Sequence, residues 1–197
     1  HLFYASVHRD EEGVRMPEGY AIVIVTYNRV QLLRECVAHA EAQTSRPDSI
    51  IIVDNASTDD TRAYLEELEK ESNIEVISLP QNIGGAGGFV KGMEYALRKN
   101  VACILLIDDD AMIGKDYMEK ILAARERHPQ YRAWAGAVEK EGRIDTFHRR
   151  TLLKAGLLSR NVEEKDYGQD WFACDIASFC GMVVDTGLVR EIGLPHA

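Results

Sequence analysis

Cysteine is scarce in this chain and shows no pattern. The four cysteines, Cys36, Cys103, Cys174 and Cys180, form no CxxC pair, which argues against structural zinc and against a disulfide framework. Cys36 falls in a helical pattern and Cys103 in an apolar strand, where free thiols behave as small hydrophobes. A reducing cytosol is the default. Long apolar runs are also missing. Runs such as Ile50 to Val53 and Val101 to Ile107 fall far short of the ~20 residues that span a bilayer. The opening His1-Leu2-Phe3-Tyr4 has no basic region followed by an apolar core, so it does not read as a secretory leader. Positive charge is in deficit, with 23 Lys and Arg against 32 Asp and Glu and a formal net charge of −9. That balance argues against nonspecific binding to nucleic acid or anionic lipid. No repeat, low-complexity tract or Pro/Gly linker divides the 197 residues, so one main domain is expected.

What is present is a globular composition, 46% hydrophobic and 28% charged, in a chain long enough for a sizeable core. Tyr20 to Thr26 (YAIVIVT) is a run with no polar face, as in a strand covered on both sides. Val30 to Gln43 places Val30, Leu33, Val37 and Ala40 at helical spacing. Ile50 to Val53 reads as a second buried strand. Ser57-Thr58-Asp59-Asp60 then offers N-cap and first-turn acids to a helix through about Ser72. Ile74 to Leu79 is a third strand, and Gly84-Gly85-Ala86-Gly87-Gly88 leads into a helix from about Phe89 to Lys99. Ala102 to Ile107 is the fourth strand, followed by a helix over Lys115 to His128. The order βαβαβαβ predicts an α/β fold with a mostly parallel central sheet and helices on both faces. Beyond Arg132, Ala133 to Val138 and Arg143 to Thr146 read as shorter strands. Leu152 to Gln169 is irregular and charged, and Ile176 to Val184 is a candidate to return to the sheet.

In such a sheet, ligands bind outside the carboxyl ends of the strands, and the unusual residues sit there. Thr26-Tyr27-Asn28-Arg29 follows the first strand and Asp54-Asn55-Ala56-Ser57 the second. Gln81-Asn82-Ile83-Gly84-Gly85 follows the third and Asp108-Asp109-Asp110 the fourth. Three adjacent carboxylates repel one another. Either they cap the following helix as solvated acids, or they bind a hard cation, Mg²⁺ or Mn²⁺, that in turn holds phosphate. Residues two apart on an extended segment point the same way, which pairs Asp108 with Asp110 and turns Asp109 elsewhere. The glycine run matches neither GxGxxG nor GxxxxGK[ST]. It serves either a tight helix–sheet contact or the approach of a diphosphate to a helix N-terminus, with Lys91 adding charge about one turn in. Asp54 is either an Asx-turn or an acceptor for a nucleotide, and Arg29 either a solvated helix-start charge or a partner for base or phosphate.

Taken together, IVIVTYNR (22–29), IIIVDNASTDDT (50–61), LPQNIGGAGGFVKGMEYAL (79–97) and ILLIDDDAMI (104–113) resemble the family 2 glycosyltransferases, which have the GT-A fold. The match covers roughly residues 20–125, and more weakly Ala135-Gly136-Ala137 and Ser178 to Val184. The resemblance implies a GT-A-type, Rossmann-like three-layer domain over residues 19–197, truncated at its C-terminal end. Residues 1–18 are then the remnant of an upstream domain or linker. It further implies transfer of a sugar from a nucleoside diphosphate to an acceptor hydroxyl with inversion, the acceptor being a glycan or lipid-linked glycan. Thr26, Tyr27, Asn28 and Arg29 would line the nucleoside pocket, with Asp54 on the base or ribose. Asn82, Gly84, Gly85 and Lys91 would border the nucleotide and diphosphate. Asp108-Asp109-Asp110 would be the DXD motif, Asp108 and Asp109 touching the nucleotide and Asp108 and Asp110 the Mn²⁺ or Mg²⁺. The form NxGGAGGFxxGM with DDD is most similar to the galactofuranosyl- and rhamnosyltransferase-like branch. That branch implies UDP-galactofuranose or dTDP-rhamnose and cell-surface polysaccharide assembly, in the cytoplasm or peripherally at the inner membrane face.

The family's catalytic base lies downstream of the segment resembling Ser178 to Val184. Asp175 and Asp185 are available acids, but neither sits in a matching segment, so no base is assigned. The expectation is a fragment that binds donor and transfers poorly, with nucleotide binding without catalysis as the alternative. A sugar nucleotidyltransferase would need a glycine-rich basic loop where this chain has TYNR, and a nicotinamide-binding module would need the missing fingerprint.

Overall fold

The computed structural model describes residues 18–70, 73–153 and 158–196. The expected upstream remnant, residues 1–18, therefore lies outside the described residues apart from Glu18. In chain order the larger elements are β1 (Tyr20–Thr26), α1 (Val30–Glu41), β2 (Ser49–Asp54), α2 (Thr61–Leu68), β3 (Ile74–Ser78), α3 (Gly84–Ala96), β4 (Cys103–Asp108) and α4 (Tyr117–Arg127). Short strands follow: β5 (Ala133–Ala135), β6 (Glu139–Lys140), β7 (Arg143–Ile144), β8 (Arg149–Leu152), β9 (Ser159–Asn161), β10 (Ile176–Ala177) and β11 (Met182–Asp185), then α5 (Thr186–Ile192).

The main sheet has the order β3-β2-β1-β4-β11-β5. Neighbours from β3 to β4 pair in parallel, while β11 runs antiparallel to both β4 and β5. Every residue of β1 and β2 is buried, because alternate side chains feed two separate cores. Ile22, Ile24, Ile50, Ile52, Leu105 and Ile107 pack under α1, α2 and α4. Val23, Val25, Ile51, Val53, Ile104 and Leu106 pack under α3 and α5. The result is the expected three-layer α/β arrangement.

Two features of the topology place the site. The chain steps outward from β1 through β2 to β3, then returns to the other side of β1 as β4. The strand order therefore reverses between β1 and β4, and a crevice opens at their carboxyl ends. Because β11 is antiparallel, its first residue Met182 pairs with Leu106 near the end of β4, and its last, Asp185, pairs with Cys103 at the start. The segment from β6 to β10 thus hangs from the carboxyl edge of the sheet. It contains a hairpin of β6 with β7 and a three-stranded sheet in the order β10-β8-β9.

Several element boundaries differ from expectation. The helix expected from Phe89 begins at Gly84, so the glycine run forms its first turns. Ile176 to Val184 is not one strand. Residues 176–177 pair with β8, Gly181 turns the chain at φ +72°, and only Met182–Asp185 enters the main sheet. The strand expected over Arg143 to Thr146 stops at Ile144, since Asp145 Oδ1 accepts from the Phe147 amide at 3.0 Å and starts a 3-10 turn. Ala133 to Val138 pairs only through Ala135.

Candidate functional site

β1 and β4 end side by side, and their last residues are tied across the crevice. The Thr26 hydroxyl, itself buried, donates to Asp109 Oδ2 at 2.7 Å. Arg29, in the turn between β1 and α1, reaches back with one guanidinium nitrogen, Nη1. That nitrogen lies 3.3 Å from Asp109 Oδ1 and 2.9 Å from Asp110 Oδ2. The repulsion among the three carboxylates is therefore offset in the free protein by one arginine. Asp109 is the buried member and Asp110 the exposed one, while Asp108 is half-buried. Burial, and then the charges of Asp110 and Asp109, push the Asp108 carboxyl above the usual carboxylate range. Burial also raises Asp109, against the opposing pull of the Thr26 hydroxyl and of Arg29.

The loop after β2 braces the same edge. Asn28 adopts φ +54°, a left-handed conformation that asparagine tolerates. Its side-chain Oδ1 accepts from the Thr58 amide at 2.7 Å, and its own amide donates to Ser57 Oγ at 2.9 Å. Asp54 is fully buried. Its Oδ1 accepts from the Ser57 amide, three residues on rather than the two of an Asx-turn, at 2.9 Å, while Oδ2 has no partner among the described residues. A buried carboxylate oxygen without a partner is uncommon and fits an acceptor held for a ligand.

Asn55 fixes the start of α3. Its Oδ1 accepts from the Ile83 amide and its Nδ2 donates to the Gly84 carbonyl, both at 2.9 Å. Asn82 Oδ1 takes the Gly84 amide, the first of the helix, at 2.8 Å. The glycines divide into two sets. Gly84, at φ +78°, and Gly85 have open space where a side chain would be. In contrast, a Cβ at Gly88 would lie 2.6 Å from Val25 Cγ1, and one at Gly92 2.2 Å from Val23 Cγ1. The run thus combines open backbone at the helix tip with the expected close helix–sheet packing further along, against β1.

The crevice thus brings together Thr26, Tyr27, Asn28, Arg29, Asp108, Asp109 and Asp110, with Asp54 at the end of β2, Asn82 in the loop after β3, and Gly84 and Gly85 in the first turn of α3 beside it. Lys91 stands apart. It is the eighth residue of α3 rather than one turn in, and it pairs with Glu94 at 2.8 Å. Asp185 caps α5 by accepting from the Leu188 amide at 3.0 Å and pairs with Arg125 and Arg132. It sits at the opposite edge of the sheet from Asp110. Asp175 Oδ2 is taken by the Leu152 amide at 2.8 Å. Neither acid faces the crevice as a free base.

A cavity of about 460 Å³ opens beyond Asp110, between the segment after β4 and the edge-hung strands. Its wall is held by residues that sequence reasoning did not single out. Tyr117 donates its hydroxyl to the Gly181 carbonyl and accepts from the Gly136 amide at 2.7 Å. Arg149, 2% exposed, donates to the carbonyls of Gly136 (2.6 Å), His148 (2.8 Å) and Cys180 (3.2 Å). An arginine in a charged run reads as surface, so only the fold reveals it as buried.

A family model described as glycosyl transferase family 2 matches residues 21–192. The chain belongs to glycosyltransferase family 2. Among curated family 2 relatives, galactofuranosyltransferase GlfT1 of Mycobacterium tuberculosis is 37% identical over 97 residues, covering 48% of this chain and 31% of that protein. The chain spans about a third of the length of the curated relatives it matches. Among solved structures, Staphylococcus aureus TarS 1-349 in complex with UDP-GlcNAc superposes with a TM-score of 0.62 at 18% identity, over 88% of this chain and 47% of that one. Mannosyltransferase PcManGT from Pyrobaculum calidifontis, in complex with GDP-Man and Mn²⁺, gives 0.52 at 20% identity, over 68% and 39%. At those identities the likeness is one of fold, and the fold is GT-A.

Proposed function

We propose that this chain is the donor-binding part of an inverting glycosyltransferase that uses UDP-galactofuranose or dTDP-rhamnose to build cell-surface polysaccharide. One observation carries the reading. Exposed Tyr27, Arg29, Gly84, Gly85 and Asp110 are gathered at the carboxyl edge around the β1/β4 switch point, with Arg29 bridging two carboxylates. The likeness to galactofuranosyltransferase GlfT1 favours the furanose donor, with a glycan or lipid-linked glycan as acceptor.

The residues divide the task by exposure. Tyr27 presents a ring for a base to stack on, and the unpartnered Oδ2 of Asp54 accepts from the base or ribose. The open first turn of α3 offers amides to the diphosphate. Arg29 exchanges its carboxylate partners for phosphate oxygens as donor enters. Thr26, Asn28 and Asp109 act from beneath by fixing the loops. Among the described residues no group of three His, Cys, Asp or Glu side chains could cage a metal. Asp108 and Asp110 would instead be the residues to hold an Mn²⁺ or Mg²⁺, hard cations for which one or two protein carboxylates suffice when a substrate phosphate is present. When bound, such an ion supplies positive charge against the leaving diphosphate.

Calorimetric titration with UDP, UDP-galactofuranose, dTDP and dTDP-rhamnose, with and without Mn²⁺, tests the reading. Binding should strengthen about tenfold or more with Mn²⁺, and Asp110→Ala should abolish that gain. Binding indifferent to metal and to Asp110→Ala overturns it. A second reading, nucleotide binding without transfer, is favoured by the structural engagement of Asp175 and Asp185. Radiolabelled-donor transfer by the full-length protein decides against that reading.

A further inference from the structure

The cavity beyond Asp110 contains two polar groups that the donor-binding reading does not use. His148 Nδ1 is 2.8 Å from Ser178 Oγ, and Asp145 Oδ1 accepts from the Phe147 amide at 3.0 Å. Each side chain is thus held by one of its polar atoms. The other two, His148 Nε2 and Asp145 Oδ2, stand 3.6 Å apart, too far for a hydrogen bond between them. Both residues line the same cavity as Asp110. In the tautomer protonated at Nε2, Ser178 donates to Nδ1, and the cavity is offered one donor beside one acceptor. A hydroxyl satisfies both at once, accepting a hydrogen bond from Nε2–H and donating its own O–H to Oδ2.

We infer that His148 and Asp145, with Ser178 orienting the imidazole, read a hydroxyl of the donor's sugar ring. The inference rests on the nucleotide-sugar reading and deepens it by naming specificity residues. Asp110, Glu139 and Asp145 outnumber Lys140 in the wall, so the lining is net acidic and a neutral polyhydroxyl ring suits the space better than a second phosphate group. The ring attached to a diphosphate at Asp110 is the first thing to enter the volume beyond that residue. Arg149 and Tyr117 hold the wall still. Arg149 binds the backbone carbonyls of His148, Gly136 and Cys180, and Tyr117 joins Gly136 to Gly181. The hydroxyl-reading pair is therefore preorganised.

Titrations of UDP-galactofuranose against UDP, and of dTDP-rhamnose against dTDP, test this in the wild type and in His148→Gln, His148→Ala and Asp145→Asn. Each substitution should weaken the sugar nucleotide that the wild type binds by roughly five- to tenfold, the weight of one hydrogen bond. Affinity for the parent diphosphate should stay the same. In the unmodified protein, the His148 imidazole NMR signal, assigned by its loss in His148→Ala, should move with the sugar nucleotide and stay in place with the diphosphate. Equal weakening of both ligands, or a His148 signal that responds equally to both, overturns the inference and leaves donor binding intact. A chain that binds none of the four compounds overturns the nucleotide-sugar reading and this inference with it.

Discussion

A methyl group added at Gly92 would lie 2.2 Å from Val23 Cγ1, inside the contact between α3 and β1. Gly92→Ala should therefore destabilise the fold by about 1–3 kcal/mol through overpacking, read as a lower denaturant midpoint at unchanged slope. Gly85→Ala meets nothing within 4 Å, and alanine favours helix over glycine by up to about 1 kcal/mol. It should leave stability unchanged or slightly raised in the same experiment. If the two substitutions behave alike, the division of the glycine run into packing and open residues is wrong. The run was legible in the sequence as significant. Which glycine served which end was not, because that depends on distance to a strand some 60 positions earlier in the chain.

Arg149 joins β8 to the segment after β5 and to the entry of β11. Arg149→Met would leave the carbonyls of Gly136, His148 and Cys180 without this donor. A loss of about 3–5 kcal/mol is expected from a disrupted buried network, measured by thermal or denaturant unfolding. A second tie, at the far edge of the sheet, makes stability sensitive to pH. Glu75 on β3 accepts from Ser49 (2.6 Å), Tyr95 (2.7 Å) and Lys99 (2.6 Å). Burial alone would raise its pKa, but the donors on Lys99, Ser49 and Tyr95 hold it below the usual range. Its contribution is thus present above the ordinary glutamate value and fades as pH falls through the lowered one. Glu75→Gln should flatten the decline in melting temperature between about pH 5 and pH 2; an unchanged slope refutes the assignment. At this scale β1, β2 and β4 were legible as runs buried on both faces, and β3, buried only at Ile74, as a short run rich in β-branched residues. The two- and three-residue strands of the edge-hung segment were not. Their pairing depends on local events such as the Asp145 turn and the Gly181 kink, which hydrophobic period does not register.

At the scale of the whole molecule, the net charge of −9 opposes the approach of an anionic diphosphate. Metal-free binding of UDP should therefore tighten a few-fold as salt rises from about 20 to 150 mM and screens that repulsion. Calorimetry checks this, and weakening with salt would show that local cations such as Arg29 dominate instead. The carboxyl-edge placement of the site was the most legible feature of all, because element order alone fixes where polar loops gather. The cavity wall was hidden, being held by ties among Tyr117, Gly136, Arg149 and Gly181, which are far apart in sequence.

The antiparallel return of β11 also governs the order in which the protein can be assembled. Strand β4 is wholly apolar up to Ile107, yet its outer neighbour is residues 182–185. Until that late segment docks, the future sheet centre is an open, greasy edge able to pair with another chain. A chain ending at residue 175 should consequently aggregate, as seen by light scattering, where the longer chain stays monodisperse. The strand that leads into the candidate site is thus the one most exposed to misassembly during synthesis, and residues 182–185 act as its guard.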